Sequence, residues 1–292
     1  ILSISMKTLP EKREYLQNQE ELDVTGGQLL VAYNNDTHEV IGLTKEMVSG
    51  FDNSQTGEIE LTVHWGGQKT SFSVTIQGEN ATDFDGGFGT ESNPFEIATK
   101  EQLSRVREYP DCSFVLTQDI VFTPDDFEEG GAFYNGGAGW EPIGTQEVPF
   151  TGTFDGNGHA IKGLTVTVSS DQDHVYAGLF GYVSGTVQDI GRLTGTVMAE
   201  NGGSFDAYAG GVAGLLDGGT VSDCHSDMMV TARSLDGKAY AGGITGGLQN
   251  DSTLTACRQG GTVQAETGDY DYSYAGGITG MVKSGTVSVC LN

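Results

Sequence analysis

Basic residues are scarce in this chain of 292 residues: 14 Lys and Arg stand against 40 Asp and Glu, a formal net charge of −26. Affinity for nucleic acids and for anionic membranes comes largely from lysine and arginine near phosphates, so the composition argues against both partners. Proline is also scarce, at six residues, and glycine has no period of three, which excludes a collagen helix. Four cysteines are too few for a disulfide scaffold.

No stretch holds the roughly 18 consecutive apolar residues that a membrane-spanning helix needs, so the sequence predicts no membrane insertion. The chain opens at Ile1 without the basic, apolar and small-residue series of a secretion signal, and we expect a mature fragment. Glycine is abundant, at 45 residues, which is about twice its usual share. With 37% apolar and 18% charged residues, the composition predicts a folded chain rather than a disordered acidic one.

Short strands with alternating apolar positions fill residues 1–77. The clearest pair is 58–65 and 70–76, which surround a Gly-Gly turn and therefore predict a β-hairpin. Another strand is expected at 29–33, directly before an Asn-Asn-Asp turn. Several strands within so short a segment predict a small β-sandwich.

Four features of this segment point to a known family. They are Leu22-Asp23 followed by Gly26, the turn Asn34-Asn35-Asp36, the run Ser49-Gly50-Phe51-Asp52, and Gly57 before the last hairpin. In these features the segment resembles a bacterial Ig-like domain of the group 3 type, although Asn18 stands where that family usually has glycine. The resemblance implies a spacer or stalk module of bacterial surface proteins.

Residues 78–92 are rich in Gly, Asp, Ser and Thr, which is typical of a linker or an ordered turn between domains. Asp83 and Asp85 in this segment resemble the start of a calcium-binding loop. The later glutamate and the flanking helices of an EF-hand are missing, however. A solvated, turn-forming role for the two aspartates is the interpretation that we favour.

Internal repeats dominate residues 93–292. Four copies of a similar block end on glycines about 33 residues apart, at Gly181, Gly214, Gly246 and Gly280. Aligned on these glycines, the copies place apolar or amphipathic residues in columns. The columns are Val175, Tyr208, Tyr240, Tyr274; Leu179, Val212, Ile244, Ile278; Val187, Val221, Leu254, Val287; Ile190, Cys224, Cys257, Cys290; and Val197, Val230, Val263.

A repeat of this length with three strand segments fits one coil of a three-faced parallel β-solenoid of about five coils. Stacking at roughly 4.8 Å then turns each column into an interior ladder. Thr99 and Gln102 match a capping box and predict a helix over 99–109, which we expect to cap the N-terminal end of the solenoid. No such cap is expected after the last coil, so that open end could associate with another chain.

Three runs carry a second resemblance: "GLFGYVSGTV", "GGVAGLLDGGTVSDC" and "GGITGMVKSGTVSVC" are similar to GLUG repeats. The preceding "GTESNPFEIATKEQLSRV" matches what usually comes before such repeats, so the resemblance covers residues 88–292. It implies a right-handed β-helix in secreted or surface-anchored bacterial proteins, including adhesin-like chains and non-catalytic parts of some IgA-cleaving metallopeptidases. The chain is thus predicted to be all-β: an Ig-like β-sandwich over 1–77, a linker over 78–92, and a GLUG-repeat β-helix with a capping helix over 93–292.

Candidate ligand-binding residues are the exposed tyrosines of the run "GDYDYSYAG". Tyr270, Tyr272 and Tyr274 alternate and should share one face of an extended segment, where exposed rings could stack on sugars or peptides. The alternative is a packing ladder of amphipathic rings. The recurring cysteines offer either a metal or redox ladder or small buried hydrophobic side chains, and we favour the second.

The sequence predicts no catalytic residue, no metal site beyond the weak calcium candidates, and no cofactor, because neither a metallopeptidase motif nor converging carboxylates appear. We therefore expect a non-enzymatic extracellular protein of the bacterial cell surface, secreted or anchored, adhesin-like or a stalk. Its partner would be an extracellular protein or glycan. One alternative is an ancillary module of a larger secreted enzyme, and another is a β-helix enzyme that acts on polysaccharides.

Overall fold

The protein is described from a computed structural model. Its chain divides into two compact units, Ile1–Asn93 and Pro94–Asn292, and nearly all regular structure in both is β-strand, as predicted. The residues that the structure describes are 1–17, 21–54, 56–77, 83–268 and 272–292.

The first unit is the predicted Ig-like sandwich of two sheets. Each sheet buries one face, because apolar and polar residues alternate along its strands. The strands of the first sheet, in spatial order, are β1 (Ser3–Thr8), β3 (Gln28–Ala32) and β4 (His38–Gly42). The strands of the second are β2 (Glu14–Leu16), β7 (Gln68–Gln77), β6 (Gly57–Trp65) and β5 (Val48–Ser49).

The predicted hairpin of this unit is confirmed. Strands β6 and β7 pair antiparallel from Trp65 opposite Gln68 onwards, so the loop is the two residues Gly66 and Gly67. Both have positive φ, +54° and +82°, which a Gly-Gly turn adopts without strain. Between the sheets, the buried Tyr15 hydroxyl donates to the Asp23 carbonyl at 2.8 Å and accepts from its amide at 3.1 Å.

The second unit is a β-solenoid of about four turns whose strands stack in parallel ladders, A to D. Ladder A holds β8 (Phe95–Ile97), β9 (Ser113–Leu116), β11 (Thr153–Asp155), β15 (Thr186–Gln188), β19 (Thr220–Ser222), β23 (Ser252–Thr255) and β28 (Gly285–Ser288). Ladder B holds β10 (Ile120–Val121), β12 (Ala160–Ser170), β16 (Arg192–Asn201), β20 (His225–Ser234), β24 (Arg258–Gln259) and β25 (Thr262–Thr267). Ladder C holds β13 (Val175–Ala177), β17 (Ala207–Gly210), β21 (Ala239–Gly242) and β26 (Ser273–Gly276). Ladder D holds β14 (Phe180–Val183), β18 (Ala213–Asp217), β22 (Thr245–Gln249) and β27 (Thr279–Val282).

The prediction of three strand segments per coil is wrong, since each full coil contributes a strand to all four ladders. The fourth strand arises because the repeated block, which its sequence suggests is one apolar strand, is divided between ladders C and D. Each copy bends between ladders C and D, for example at Gly178 and at Gly211. A Cβ on Gly178 would lie 2.8 Å from the carbonyl oxygen of Gly210 in the next coil, so the bend requires glycine there. The number of coils is about four rather than five.

One predicted column is also wrong. Tyr176, and not Val175, pairs with Tyr208, while Val175 pairs with Ala207. The first copy has one glycine, Gly178, where the second has Gly210-Gly211, so aligning on the closing glycine shifts its tyrosine by one position. Because strand neighbours point to opposite faces, this shift places Val175 inside the solenoid and Tyr176 outside.

The other columns stack inside the solenoid as predicted. Val187, Val221 and Leu254 are in register in ladder A, and all three are fully buried. Burying one such side chain stabilises the fold by roughly 1.5–3 kcal/mol, and each coil supplies half of its neighbour's cover. In the last coil Val287 of the same column is 40% exposed, since no following rung of described residues covers it. The expected association through this coil stays a prediction.

The predicted helix exists but is shorter than 99–109. Helix α1 spans Lys100–Arg105, begins at the expected capping box of Thr99 and Gln102, and continues as a 3-10 turn, Val106–Glu108. Irregular residues cover strand edges at this end of the solenoid, and the capping role expected of the helix stays a prediction. Gly139 bridges Val166 of β12, and residues 143 and 150 bridge the first strand of ladder D.

No helix among the described residues is long and apolar enough to span a membrane. The same residues contain other short 3-10 turns. These turns are Lys45–Met47, Pro124–Asp126 and Asn135–Gly137.

Candidate functional site

Four tyrosines form the most regular surface feature of the solenoid, here named the tyrosine column: Tyr176, Tyr208, Tyr240 and Tyr274. Tyr176, Tyr208 and Tyr240 lie on ladder C between buried residues, so strand alternation turns their rings outward. Tyr274 is in register with Tyr240 on the last strand, where its neighbours are exposed. Successive ring centroids are 5.3, 4.9 and 5.2 Å apart, with interplanar angles of 18°, 17° and 10°. The rings therefore cover one another's faces, which matches the packing-ladder interpretation for the interior members.

The two predicted ligand-binding tyrosines precede the last member of this column. Tyr270 lies outside the residues that the structure describes. Tyr272 is 68% exposed, and its ring centroid is 6.4 Å from that of Tyr274. Tyr272 thus presents an accessible aromatic surface at one end of the tyrosine column, and its role in binding stays a prediction.

The hydroxyl groups of Tyr176 and Tyr208 stay protonated at neutral pH. Burial, followed by the charge of nearby carboxylates such as Asp206, raises the pKa of Tyr176 to about 12. Burial and the same carboxylate raise the pKa of Tyr208 further, and its hydroxyl donates to Asp206 at 3.2 Å. These groups can donate hydrogen bonds but cannot act as general bases near neutral pH.

A pocket of about 360 Å³, here named the Tyr176 pocket, lies at the start of the tyrosine column. Its walls come from two segments, 141–147 and 173–176, together with Val168. The Tyr176 hydroxyl lies 3.3 Å from Gln146 Oε1, to which it donates across the pocket. Sequence reasoning missed this pocket, but the repeated Tyr-Ala-Gly triplet at Tyr176 and Tyr208 would have given the correct register.

His174 has a defined protonation pattern in this pocket. Its Nδ1 accepts a hydrogen bond from the backbone amide of Asp206 at 3.0 Å. A neutral imidazole that accepts at Nδ1 carries its proton on Nε2, so His174 offers a donor. Glu147 and Asp173 add carboxylate oxygens, which accept hydrogen bonds.

A second, shallower groove of about 700 Å³ runs across the ends of the ladder B strands. Glu200, Arg233 and Glu266 lie in register along it, one per coil. Arg233 donates to Glu266 at 2.9 Å, so its guanidinium is already engaged. The buried Asn201 and Ser234 at this edge bind backbone groups of the adjacent turns, which indicates a structural role.

The calcium candidates Asp83 and Asp85 flank the buried Phe84. Asp85 is exposed and Asp83 is partly exposed. Among residues 1–17, 21–54, 56–77, 83–268 and 272–292, no group of three or more His, Cys, Asp or Glu side chains could hold a metal ion. Calcium binding by this pair therefore has no support from a third ligand in that part of the chain.

The cysteine column lies inside the solenoid. Cys224 and Cys257 are buried, Cys290 in the last coil is partly buried, and all are free thiols, as is Cys112. The Sγ atoms of Cys224 and Cys257 each donate to a carbonyl two residues earlier, both at 3.2 Å. Burial raises the pKa of the Cys224 thiol, which lowers its reactivity. These contacts fit the small-hydrophobe interpretation.

Charged groups also cluster on the outer face of ladder B. Asp227 accepts from Arg192 at 2.7 Å and lies 3.0 Å from His225 Nε2. Burial alone would raise the pKa of Asp227, but the Arg192 hydrogen bond and the neighbouring positive charges outweigh it and hold that pKa below its usual value. All three side chains are committed to one another, so this cluster is an ion-pair network.

Comparison with known families identifies the first unit. Residues 9–76 match the bacterial Ig-like domain (group 3) family, so the resemblance seen in the sequence is confirmed there. The assignment of the solenoid to GLUG repeats stays a prediction.

Three proteins are similar to longer parts of the chain. A proposed Gly-rich membrane protein of Evansella cellulosilytica is 36% identical over 141 residues, which is 46% of this chain and 15% of that protein. Halomucin of Haloquadratum walsbyi is 28% identical over 212 residues, 68% of this chain and 2% of that protein. A crystal structure of a proposed immunoglobulin A1 protease from Bacteroides ovatus aligns at 21% identity and a TM-score of 0.45, over 71% of this chain and 77% of that one. The chain spans only a small part of the length of its curated relatives.

Proposed function

We propose that this chain is a non-catalytic, extracellular segment of a bacterial surface protein, with an adhesin-like or stalk role. The observation that carries the proposal is the set of uninterrupted ladders in the second unit, joined in one chain to a bacterial Ig-like domain. Stacked coils hold their outward side chains at fixed spacing, which suits an extended binding or spacing surface.

The charge of the chain supports the same proposal. A formal charge of −26 favours solubility and keeps copies of the protein apart in solution. The same charge selects against polyanionic partners, so an uncharged glycan or a protein surface is the partner that we favour.

Two alternatives keep the same fold and differ in what surrounds it. An ancillary module of a larger secreted enzyme predicts a catalytic signature elsewhere in the full-length reading frame. A β-helix enzyme predicts turnover of polysaccharides by this chain alone, and we expect none. The full reading frame and a turnover assay on acidic and neutral polysaccharides discriminate among the three.

Surface display is tested on intact cells that make the full-length protein. Antibodies raised against residues 94–292 should label intact cells, and external protease should remove that label. Labelling only after the cells are permeabilised would refute the proposal. A cytoplasmic protein followed in the same cells controls for lysis.

A further inference from the structure

We propose that the Tyr176 pocket binds one pyranose ring of an uncharged glycan, stacked on Tyr176 as a further ring of the tyrosine column. The inference rests on the proposed surface function and deepens it, because it names a site and a ligand class.

Tyr176 begins the tyrosine column, because it lies on the first strand of ladder C. Strand β13 is the first of that ladder, so the column continues from Tyr176 in one direction only, to Tyr208. The two rings stack at 5.3 Å, which covers one face of Tyr176. Tyr182 contacts the Tyr176 ring in a T-shaped arrangement at 5.3 Å, and the His174 ring lies 6.4 Å away. Tyr176 still lines the pocket, and Ile143 of the preceding level bridges the neighbouring ladder. The Tyr176 pocket lies at this level, because residues 142 and 144 line it on either side of Ile143.

The size and the apolar lining of the Tyr176 pocket suit a sugar ring. Its volume of about 360 Å³ lies in the range of small-molecule sites, which begins near 300 Å³. Pro142 and Val168 add apolar surface beside the tyrosine ring. A sugar ring presents C–H groups on its faces, and an aromatic ring with an apolar wall is the surface that such a face contacts.

The polar groups of the Tyr176 pocket suit sugar hydroxyls. The Glu147 and Asp173 carboxylates and the Gln146 amide oxygen accept hydrogen bonds, whereas the His174 Nε2–H donates. Sugar hydroxyls both donate and accept, so this mixture is complementary to them. A purely aromatic peptide side chain would leave these polar groups without a partner, which is costly once water is displaced.

The charge of the pocket selects among glycans. Glu147 and Asp173 line it, Glu141 lies there paired with Arg107 (3.9 Å), and no described lining residue is a lysine or an arginine. A uronate or a sulfated sugar would bring a further negative charge to within a few ångström of these carboxylates, so uncharged sugars are favoured.

The test uses the full chain and titrates it calorimetrically with gluco-, xylo-, manno- and chito-oligosaccharides. We expect saturable binding of at least one of them. Tyr176→Leu should weaken it by up to about tenfold, the size of one aromatic stacking contact. Glu147→Gln and His174→Phe should each weaken it by about tenfold as well, because the first replaces a charged acceptor with a weaker neutral one and the second removes the imidazole donor.

Tyr33→Leu is the matched control, because it makes the same change at a partly exposed tyrosine of the Ig-like unit, outside the solenoid. It should leave affinity unchanged. Thermal unfolding and circular dichroism identify any variant that fails to fold. If Tyr176→Leu fails to fold, Glu147→Gln and His174→Phe still test the site.

Several outcomes would overturn the inference. They are the absence of binding to every uncharged oligosaccharide, affinity unaffected by all three pocket variants, and loss of affinity in Tyr33→Leu alone. Binding of an aromatic peptide that is unaffected by Glu147→Gln and His174→Phe would replace the glycan with a peptide. None of these results would affect labelling of intact cells, so a failure of the site and a failure of surface display are distinguishable.

Discussion

A left-handed corner recurs once per coil and allows a quantitative prediction. It lies directly after the ladder A strands, at Asp189, Asp223, Ala256 and Val289, where φ is 51°, 54°, 54° and 54°. Aspartate and asparagine tolerate this conformation because their short side chains bind the local backbone, whereas alanine and valine do not. The first two coils therefore carry suitable residues and the last two do not. We predict that Ala256→Asn stabilises the solenoid.

The magnitude follows from the conformational cost. The left-handed region costs an ordinary residue roughly 1–2 kcal/mol, and asparagine recovers part of this. We expect a gain of about 0.5–1 kcal/mol in the free energy of unfolding. For a unit of this size, a change of 1 kcal/mol moves the midpoint by roughly 2–4 °C. Asparagine also adds no charge to an already acidic chain.

Each unit has its own tryptophan, which makes the assay specific. Trp140 is fully buried in the solenoid, and Trp65 belongs to the Ig-like unit. In a Trp65→Phe background, the fluorescence of Trp140 reports unfolding of the solenoid alone. Asp223→Ala is the matched reverse change and should lose what Ala256→Asn gains. If Ala256→Asn lowers the midpoint, or if Asp223→Ala leaves it unchanged, then backbone conformation does not govern this corner.

Three further predictions concern packing, acid stability and reactivity. Gly185→Ala should destabilise the solenoid by about 1–3 kcal/mol, because the new Cβ would collide with the backbone of the preceding coil. Gly202→Ala, where a Cβ has room, should change stability by less than about 0.5 kcal/mol, and thermal melts compare the two variants. A backbone amide and a lysine that bind Asp119 hold its pKa at about 2, below the ordinary 3.8, so the stability it contributes is present above pH 3.8 and lost as the pH falls toward 2; Asp119→Asn should flatten this part of the acid-unfolding curve. Nitration mapped by mass spectrometry should modify the exposed Tyr272 before Tyr176, whose pKa is raised to about 12; equal rates would contradict the burial of the tyrosine column.

The fold was predictable wherever a local pattern determines it. The hairpin of β6 and β7 follows from period-2 alternation around Gly66-Gly67, and helix α1 follows from Thr99 and Gln102. The structure shows both hydrogen bonds of the capping box. The backbone amide of Gln102 donates to Thr99 Oγ1, and the backbone amide of Thr99 donates to Gln102 Oε1. Such signals depend on neighbouring residues only, so one sequence is enough.

The division of the coil into four ladders could not be read from periodicity. The bend between ladders C and D falls at glycine, which gives no apolar or polar signal, so the flanking residues read as one strand. The register of the first copy failed for a related reason. One residue fewer separates Tyr176 from Phe180 than separates Tyr208 from Ala213, and a single alignment point cannot detect such a change.

The candidate site was hardest to predict, because it is not built from the repeats. The Tyr176 pocket combines the irregular segment 141–147 with the turn at 173–174, about 30 residues away. No column places 141–147, since this segment precedes the first complete coil. The sequence did direct attention to tyrosines, but toward Tyr272 at the last coil rather than Tyr176 at the first.

The most direct test of the proposed function is a glycan and extracellular-matrix binding array probed with the full chain, with and without Ca²⁺. We expect saturable binding to uncharged glycans that does not depend on Ca²⁺. Binding confined to sulfated or uronate-rich glycans would contradict the charge argument. Strict dependence on Ca²⁺ would point instead to a metal-mediated site such as Asp83 and Asp85. An array without any specific signal would contradict the adhesin-like role and favour a passive stalk.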